Sequence, residues 1–370
     1  MANQITNYQC PSCMGPLHFV GESGMLECDY CSSKYSVEEI EELYAEKNQQ
    51  AEENFETDFE NREETQWDMS QLSDDWGGAE EKLREYNCPS CGAQLVWEEN
   101  TAAGQCPYCG NPTVVAGQFG GMLKPDYVIP FKLTHEDAKA KLKEFYKGKK
   151  LLPREFADEN RISEIQGVYV PFWLFDGTAE ADITFDGTIS STRREGDYDV
   201  ITTAHYDVRR VGTVPFEKIP VDASVKMPDD YMDAIEPFDY SKIKPFSMSY
   251  LPGYLAERYG EDAEACSKRA DERAVNTAVD VLRSDASRYT SLHPISRNVH
   301  LDRGKVSYAL LPVYMLTTKY GGKDYLFAMN GQTGKFVGEL PVSKKKYWTY
   351  FLSVFAGVTA AVGTLITFIL

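Results

Sequence analysis

At 370 residues the chain is long enough for two or three domains. With 42% hydrophobic and 12% aromatic residues it is globular, which excludes an intrinsically disordered chain. The formal net charge of -19 is concentrated between Glu38 and Glu85, where 18 acidic residues face four basic ones, leaving only about -5 for the rest. The N-terminal stretch Met1–Cys10 has neither a basic nor an apolar region, so no secretory signal is expected and the bulk of the chain is expected to stay where it is made.

Eight of the nine cysteines form four C-x-x-C pairs, and Cys266 stands alone. Cys10-Pro-Ser-Cys13 precedes Cys28-Asp-Tyr-Cys31 by fourteen residues, and Cys88-Pro-Ser-Cys91 precedes Cys106-Pro-Tyr-Cys109 by the same interval. The offset of 78 residues between the two sets marks an internal duplication. Two residues between cysteines let a tight turn aim both sulfurs at one ion, and two such knuckles complete a tetrahedral four-sulfur site. Gly15, Gly92 and Gly110 follow knuckle cysteines, where the backbone must turn sharply. Units this short bury too little apolar surface to fold unaided, so two structural Zn²⁺ ions are expected at Cys10, Cys13, Cys28 and Cys31 and at Cys88, Cys91, Cys106 and Cys109. Four protein sulfurs close each site and leave no position for a catalytic water.

Each set resembles the zinc ribbons of transcription factor IIB type and the cysteine-rich insert of primosomal helicases. Those relatives bind nucleic acid or its machinery. Here neither Met1–Ser33 nor Glu85–Leu123 contains a Lys or Arg, so the ribbons lack the basic footprint that phosphate binding requires. No G-x-x-x-x-G-K-[ST] loop is present. The ribbons therefore read as protein-binding modules. Between them, Ser36-Val-Glu-Glu39 has a capping-box pattern, followed by Val37, Ile40 and Tyr44 at helical spacing. The remainder reads as a solvated, partly disordered acidic strap, with Phe55, Phe59, Trp67, Met69, Leu72 and Trp76 as candidate docking residues.

From Asp126 onward the pattern becomes strands with regular turns. A strand is expected over 127–133, then a helix capped by Thr134 and Asp137 with the stripe Ala138, Leu142, Phe145 and Tyr146. Further strands are expected over 168–175, with Pro171 marking an edge or bulge, and over 181–185 and 200–214. A looser Asp-, Pro- and Tyr-rich segment follows. A long helix is expected from Asp262 to Arg288, with Ala263, Cys266, Ala270, Ala274, Val281 and Leu282 near one face. A meander follows from 300 to 340, turning at Gly321-Gly322 and again at Asn330–Gly334.

The chain ends on Tyr350–Leu370, a stretch without charge, preceded by Lys344, Lys345, Lys346, Tyr347 and Trp348. A helix of that length spans about 30 Å, and lysines followed by interfacial aromatics mark a cytoplasmic membrane entry. The expectation is a single-pass tail anchor contacting lipid, with Ser353, Gly357 and Ala361 as a possible face for a partner helix.

No catalytic residues are expected. The five histidines lack metal or catalytic spacing, and no G-x-S-x-G or dinucleotide fingerprint occurs. His205, Asp207 and Arg209 alternate on one strand face as a polar cluster or an ion-paired face. Cys266 reads as a packing residue.

The expected organisation is ribbon 1 over 1–35, acidic linker over 36–86, ribbon 2 over 87–121, body over 122–342 and anchor over 343–370. The fold class is α+β: two small treble-Cys-knuckle zinc ribbons, a mainly antiparallel β-rich body with a long helix, and one C-terminal transmembrane helix. This layout, with the runs Tyr169-Val-Pro-Phe-Trp-Leu-Phe175, Leu251-Pro-Gly-Tyr-Leu255 and Phe327–Lys335, resembles a bacterial family of membrane-anchored double zinc-ribbon proteins. Members are encoded beside phage-shock-protein-A and SPFH/flotillin-like proteins in Gram-positive bacteria. The resemblance implies recruitment of those partners under envelope stress. From the residues alone the choice stays between a membrane-tethered, non-enzymatic adaptor and a tethered regulator of transcription or replication, with ligand binding by the body as a third option.

Overall fold

A computed structural model of the chain describes residues 10–13, 15, 17–20, 25–28, 30–40, 42–43, 65–77, 83–98, 106–109, 116–118, 122–154, 165–286 and 288–369. Two compact units are present, Met1–Glu64 and Thr65–Leu370.

The first unit holds a three-stranded antiparallel sheet of β1 (Leu17–Val20), β2 (Met25–Cys28) and β3 (Lys34–Tyr35). After β3 the expected capping box is formed. Ser36 N–H donates to Glu39 Oε2 at 2.9 Å, and Glu39 N–H donates to Ser36 Oγ at 3.0 Å. Ile40 is buried, whereas Tyr44, Phe55 and Phe59 lie outside the described residues.

The larger unit is built on an eleven-stranded sheet. Its spine is three very long strands, β8 (Gln166–Glu195), β9 (Tyr198–Asp222) and β12 (Ser291–Tyr320). β8 pairs antiparallel with β9 and β12. The shorter strands are β4 (Leu83–Asn87), β5 (Gln94–Glu98), β6 (Ala116–Gln118), β7 (Tyr127–Val128), β10 (Lys244–Pro245), β11 (Leu255–Glu257), β13 (Lys323–Asn330) and β14 (Phe336–Gly338). β13 turns back from β12 through Gly321 and Gly322, whose φ values of 60° and 79° suit a two-residue hairpin.

Where β8 crosses the middle of the sheet both of its faces are covered, so it reads as a continuous apolar run. Val168, Val170, Phe172 and Leu174 face one core, and Tyr169, Trp173 and Phe175 face another. Pro171 sits inside this strand rather than at an edge. Its carbonyl accepts from Ala223 N–H at 2.9 Å, just where the neighbour of β8 changes from β11 to β9, so the missing N–H falls at the break between the two pairings. Further along, Ala179, Ala181, Ile183 and Phe185 are buried and alternate with less buried residues, giving the period-two pattern. The strands expected over 168–175 and 181–185 are one strand, because the irregularity between Phe175 and Gly177 shifts register without ending the pairing.

Helix α1 (His135–Tyr146) starts at the predicted Thr134–Asp137 capping box, and Ala138, Leu142 and Tyr146 are buried against Tyr314 and Phe327. A short α2 (Asp229–Ile235) inserts Met232 and Ile235 into one core. Helix α3 (Ala263–Ser284) is capped by Asp262 and buries Ala263, Cys266, Ala270, Ala274 and Ala278 on the long strands. Small side chains on that face bring the helix axis close to the sheet. Val281, expected on this face, is exposed, and Val279 is buried instead.

Part of the acidic strap is ordered on the body. Trp67 packs edge-on to Phe175 and donates to Asp271 Oδ1 at 3.1 Å, and buried Trp76 donates to the Met122 carbonyl at 2.9 Å. Met69 and Leu72 pack against the same core.

The C-terminal helix α4 (Lys344–Ile369) corrects the expectation of a tail anchor. Among the described residues no helix is long and apolar enough to cross a membrane. The helix begins at Lys344, so three lysines fill its first turn. The class is therefore α+β with two four-cysteine knots. The C-terminal transmembrane helix, the single-pass membrane location and the lipid contact through that helix are not supported. Ser353, Gly357 and Ala361 lie on its exposed surface.

Candidate metal centres

Each predicted set of four cysteines comes together, with all four sulfurs within 4.8 Å of one another. In the first, Cys10 Sγ lies 3.5 Å from Cys31 Sγ, and Cys13 Sγ lies 3.4 Å from Cys28 Sγ. In the second, Cys88 and Cys109 are 3.6 Å apart, and Cys91 and Cys106 are 3.7 Å apart. A disulfide requires about 2.05 Å. Four sulfurs each about 2.3 Å from a tetrahedral ion stand about 3.8 Å from one another, so both donor sets fit a metal such as zinc. None of the nine cysteines is in a disulfide.

The knuckles are built by the same backbone bonds. Cys28 N–H donates to the Ser33 carbonyl at 3.0 Å, as Cys88 N–H does to Ala93 at 2.9 Å. Ser32 N–H returns to the Cys28 carbonyl, as Gly92 N–H does to Cys88. That fourth position takes a left-handed backbone, with φ of 57° at Ser32 and 70° at Gly92. Glycine adopts it freely, whereas serine is strained there.

Surroundings distinguish the sites. In the first, Cys10 and Cys28 are buried and Cys13 and Cys31 exposed. Ser33 Oγ, 3.2 Å from Cys31 Sγ, is the largest cause lowering that thiol to about 6. In the second, Cys88 and Cys106 are buried, Cys91 and Cys109 half-buried, and burial is the largest cause raising Cys91 and Cys106.

The second site is also bonded into the body core. β5 pairs with β11, and Cys88, Ala93, Leu95 and Cys106 join Val168, Phe172 and Leu311 in one apolar cluster. Lys226 Nζ donates to the Cys91 carbonyl at 2.6 Å, and Thr317 Oγ1 donates to the Pro107 carbonyl at 2.8 Å. Tyr108, inside the second knuckle, donates to Glu257 Oε2 at 2.5 Å, and Ser224 Oγ donates to Glu257 Oε1 at 2.7 Å. Glu257 is buried, and burial pushes it up to about 7 despite the two hydroxyls that pull the other way. Burial likewise holds the Tyr108 hydroxyl well above its ordinary range, so it stays a donor. Sequence reasoning missed this cluster. Its one local signal is a glutamate directly after the apolar Leu255-Ala256 of β11.

Other candidates do not converge. His205 Nδ1 is 3.0 Å from Asp186 Oδ1, while Arg209 makes a two-pronged pair with Asp182 at 2.9 and 2.8 Å. This is an ion-paired sheet face, and Asp207 stands opposite Asp186 in register. Cys266 is buried with its sulfur 3.8 Å from the Asp222 carbonyl, and burial pushes the thiol up to about 12, leaving it a poor nucleophile.

No protein-family model and no solved structure matches the chain. A protein of Bacillus subtilis (strain 168) called YdjG, itself described as uncharacterized, is 34% identical over 357 residues, covering 96% of this chain and 96% of the relative. This chain therefore belongs to the family of Bacillus subtilis YdjG.

Proposed function

We infer that this chain is a non-enzymatic protein-binding adaptor whose two four-cysteine sites are zinc ribbons holding structural Zn²⁺. The observation that carries the reading is the pairing of two closed four-sulfur donor sets with the stretches Met1–Ser33 and Glu85–Leu123, which contain no Lys or Arg. Such a site supplies folding energy and leaves no position for a reacting water. An acidic, uncharged-to-negative surface disfavours phosphate backbones and suits protein partners instead. Cys88, Cys91, Cys106 and Cys109 would stiffen the knuckle loops that present this surface. The partners implied by the resemblance, phage-shock-protein-A-like and SPFH/flotillin-like proteins, are the first to test.

The test is affinity capture with mass spectrometry, comparing the full chain with a Cys10→Ser, Cys13→Ser variant. Stress or SPFH-type proteins recovered with the full chain and lost with the variant would support the adaptor reading. Recovery of RNA polymerase, replication proteins or nucleic acid would overturn it in favour of a transcription or replication regulator.

A further inference from the structure

We propose that the first four-cysteine site is an oxidant-sensitive metal site, at which peroxide converts ligand cysteines to disulfides and releases the ion, while the second site is retained. The proposal rests on the zinc reading above and adds a division of labour between the two sites.

Three observations carry it. First, Cys13 and Cys31 are exposed, one on each knuckle, whereas every ligand of the second site is buried or half-buried. Oxidation of a cysteine follows thiolate character and access, and a metal-bound cysteine is a thiolate. Second, each exposed sulfur has a buried partner on the opposite knuckle, Cys10 at 3.5 Å from Cys31 and Cys28 at 3.4 Å from Cys13. Third, the first site belongs to a compact unit of its own, Met1–Glu64. The second is held by Lys226 on the Cys91 carbonyl, Thr317 on the Pro107 carbonyl and Tyr108 on Glu257. Closing a disulfide there requires sulfurs 3.6 to 3.7 Å apart to move against the packed core.

The chemistry balances with a hydroperoxide as oxidant. The Cys31 thiolate attacks the O–O bond, taking one oxygen as sulfenic acid and expelling hydroxide. The Cys10 thiolate then attacks the Cys31 sulfur, forming the S–S bond and expelling a second hydroxide. Two thiolates have lost two electrons, and one peroxide has gained them. Cys13 and Cys28 can follow the same course with a second peroxide. An ion left with two sulfur ligands instead of four is released, and the unit that depends on it unfolds.

The full-length chain loaded with two Zn²⁺ is treated with graded hydrogen peroxide, following zinc with a chromophoric chelator and mapping disulfides by mass spectrometry. The expected result is one equivalent released about tenfold faster than the other, with Cys10–Cys31 or Cys13–Cys28 linked first. The Cys13→Ser, Cys31→Ser variant should lose the fast phase and keep the slow one. Simultaneous release, or earlier oxidation at Cys88–Cys109, overturns the proposal while leaving the zinc reading intact. A chain that takes up no ion overturns both.

Discussion

Two sites with identical ligand spacing sit in very different surroundings. The first is a small hairpin unit whose described buried side chains are Leu26, Ile40 and two of its own cysteines. The second shares an apolar cluster with β8, β11 and β12 and carries three side-chain ties to its knuckles. The lesson is that duplication copies the donor set without copying the linkage. A metal bound at the first site would stabilise one hairpin unit, whereas one at the second would stabilise the side of the sheet that packs on it.

The largest expected effect comes from removing ligands. Cys88→Ser with Cys91→Ser should cost the larger unit more than about 5 kcal/mol, because structural zinc sites of this kind contribute on the order of 10 kcal/mol. Cys10→Ser with Cys13→Ser should leave the melting transition of the larger unit unchanged. Calorimetry of both variants checks the contrast, and equal losses would break it.

A smaller effect isolates one tie. Tyr108→Phe leaves Glu257 buried with one donor fewer and should cost about 1–3 kcal/mol. It should also speed zinc loss from the second site alone, as read by chelator kinetics. Unchanged release would mean that the tyrosine only fills space.

The pH dependence of the larger unit provides a comparable effect. Asp222 is buried, and burial raises it to about 6 even though Arg269 Nη2 lies 2.8 Å from its carboxylate. An unfolded aspartate titrates near 3.9, so between about 4 and 6 the folded state holds the proton more tightly. Stability from this group is therefore greatest at low pH and falls as pH rises from about 4 to about 6, by about 3 kcal/mol. Asp222→Asn should flatten that part of the urea-denaturation profile, and an unaltered slope would assign it to another group.

The smallest effect concerns the knuckle itself. Ser32→Gly should relieve the left-handed strain at φ 57° and stabilise the first unit by about 1 kcal/mol, with no effect on the larger one. Chelator competition would detect the tighter first site.

The two sets of four cysteines were legible because cysteine spacing is a local signal. So were the Thr134 capping box and the Gly321-Gly322 hairpin, each written within a few residues. The sheet was only partly legible. Pro171 suggested an edge because its missing N–H was visible in the sequence, while the break between β11 and β9 that accommodates it was not. Trp67 and Trp76 read as candidate docking residues on a solvated strap, since their partners Asp271 and Met122 are distant in sequence. The Tyr108–Glu257–Ser224 cluster was hidden for the same reason, with partners separated by 149 and 33 residues. The C-terminal helix was read as a membrane span from its uncharged length, whereas among the described residues no helix is long and apolar enough to cross a membrane.

The most direct test of unequal linkage is hydrogen exchange of the full chain with and without a strong chelator. Loss of metal should abolish protection in residues 166–175, 255–257 and 306–316, which pack on the second site. Protection that persists there after both ions are gone would contradict the account, leaving the second site as an ornament on an independently stable sheet.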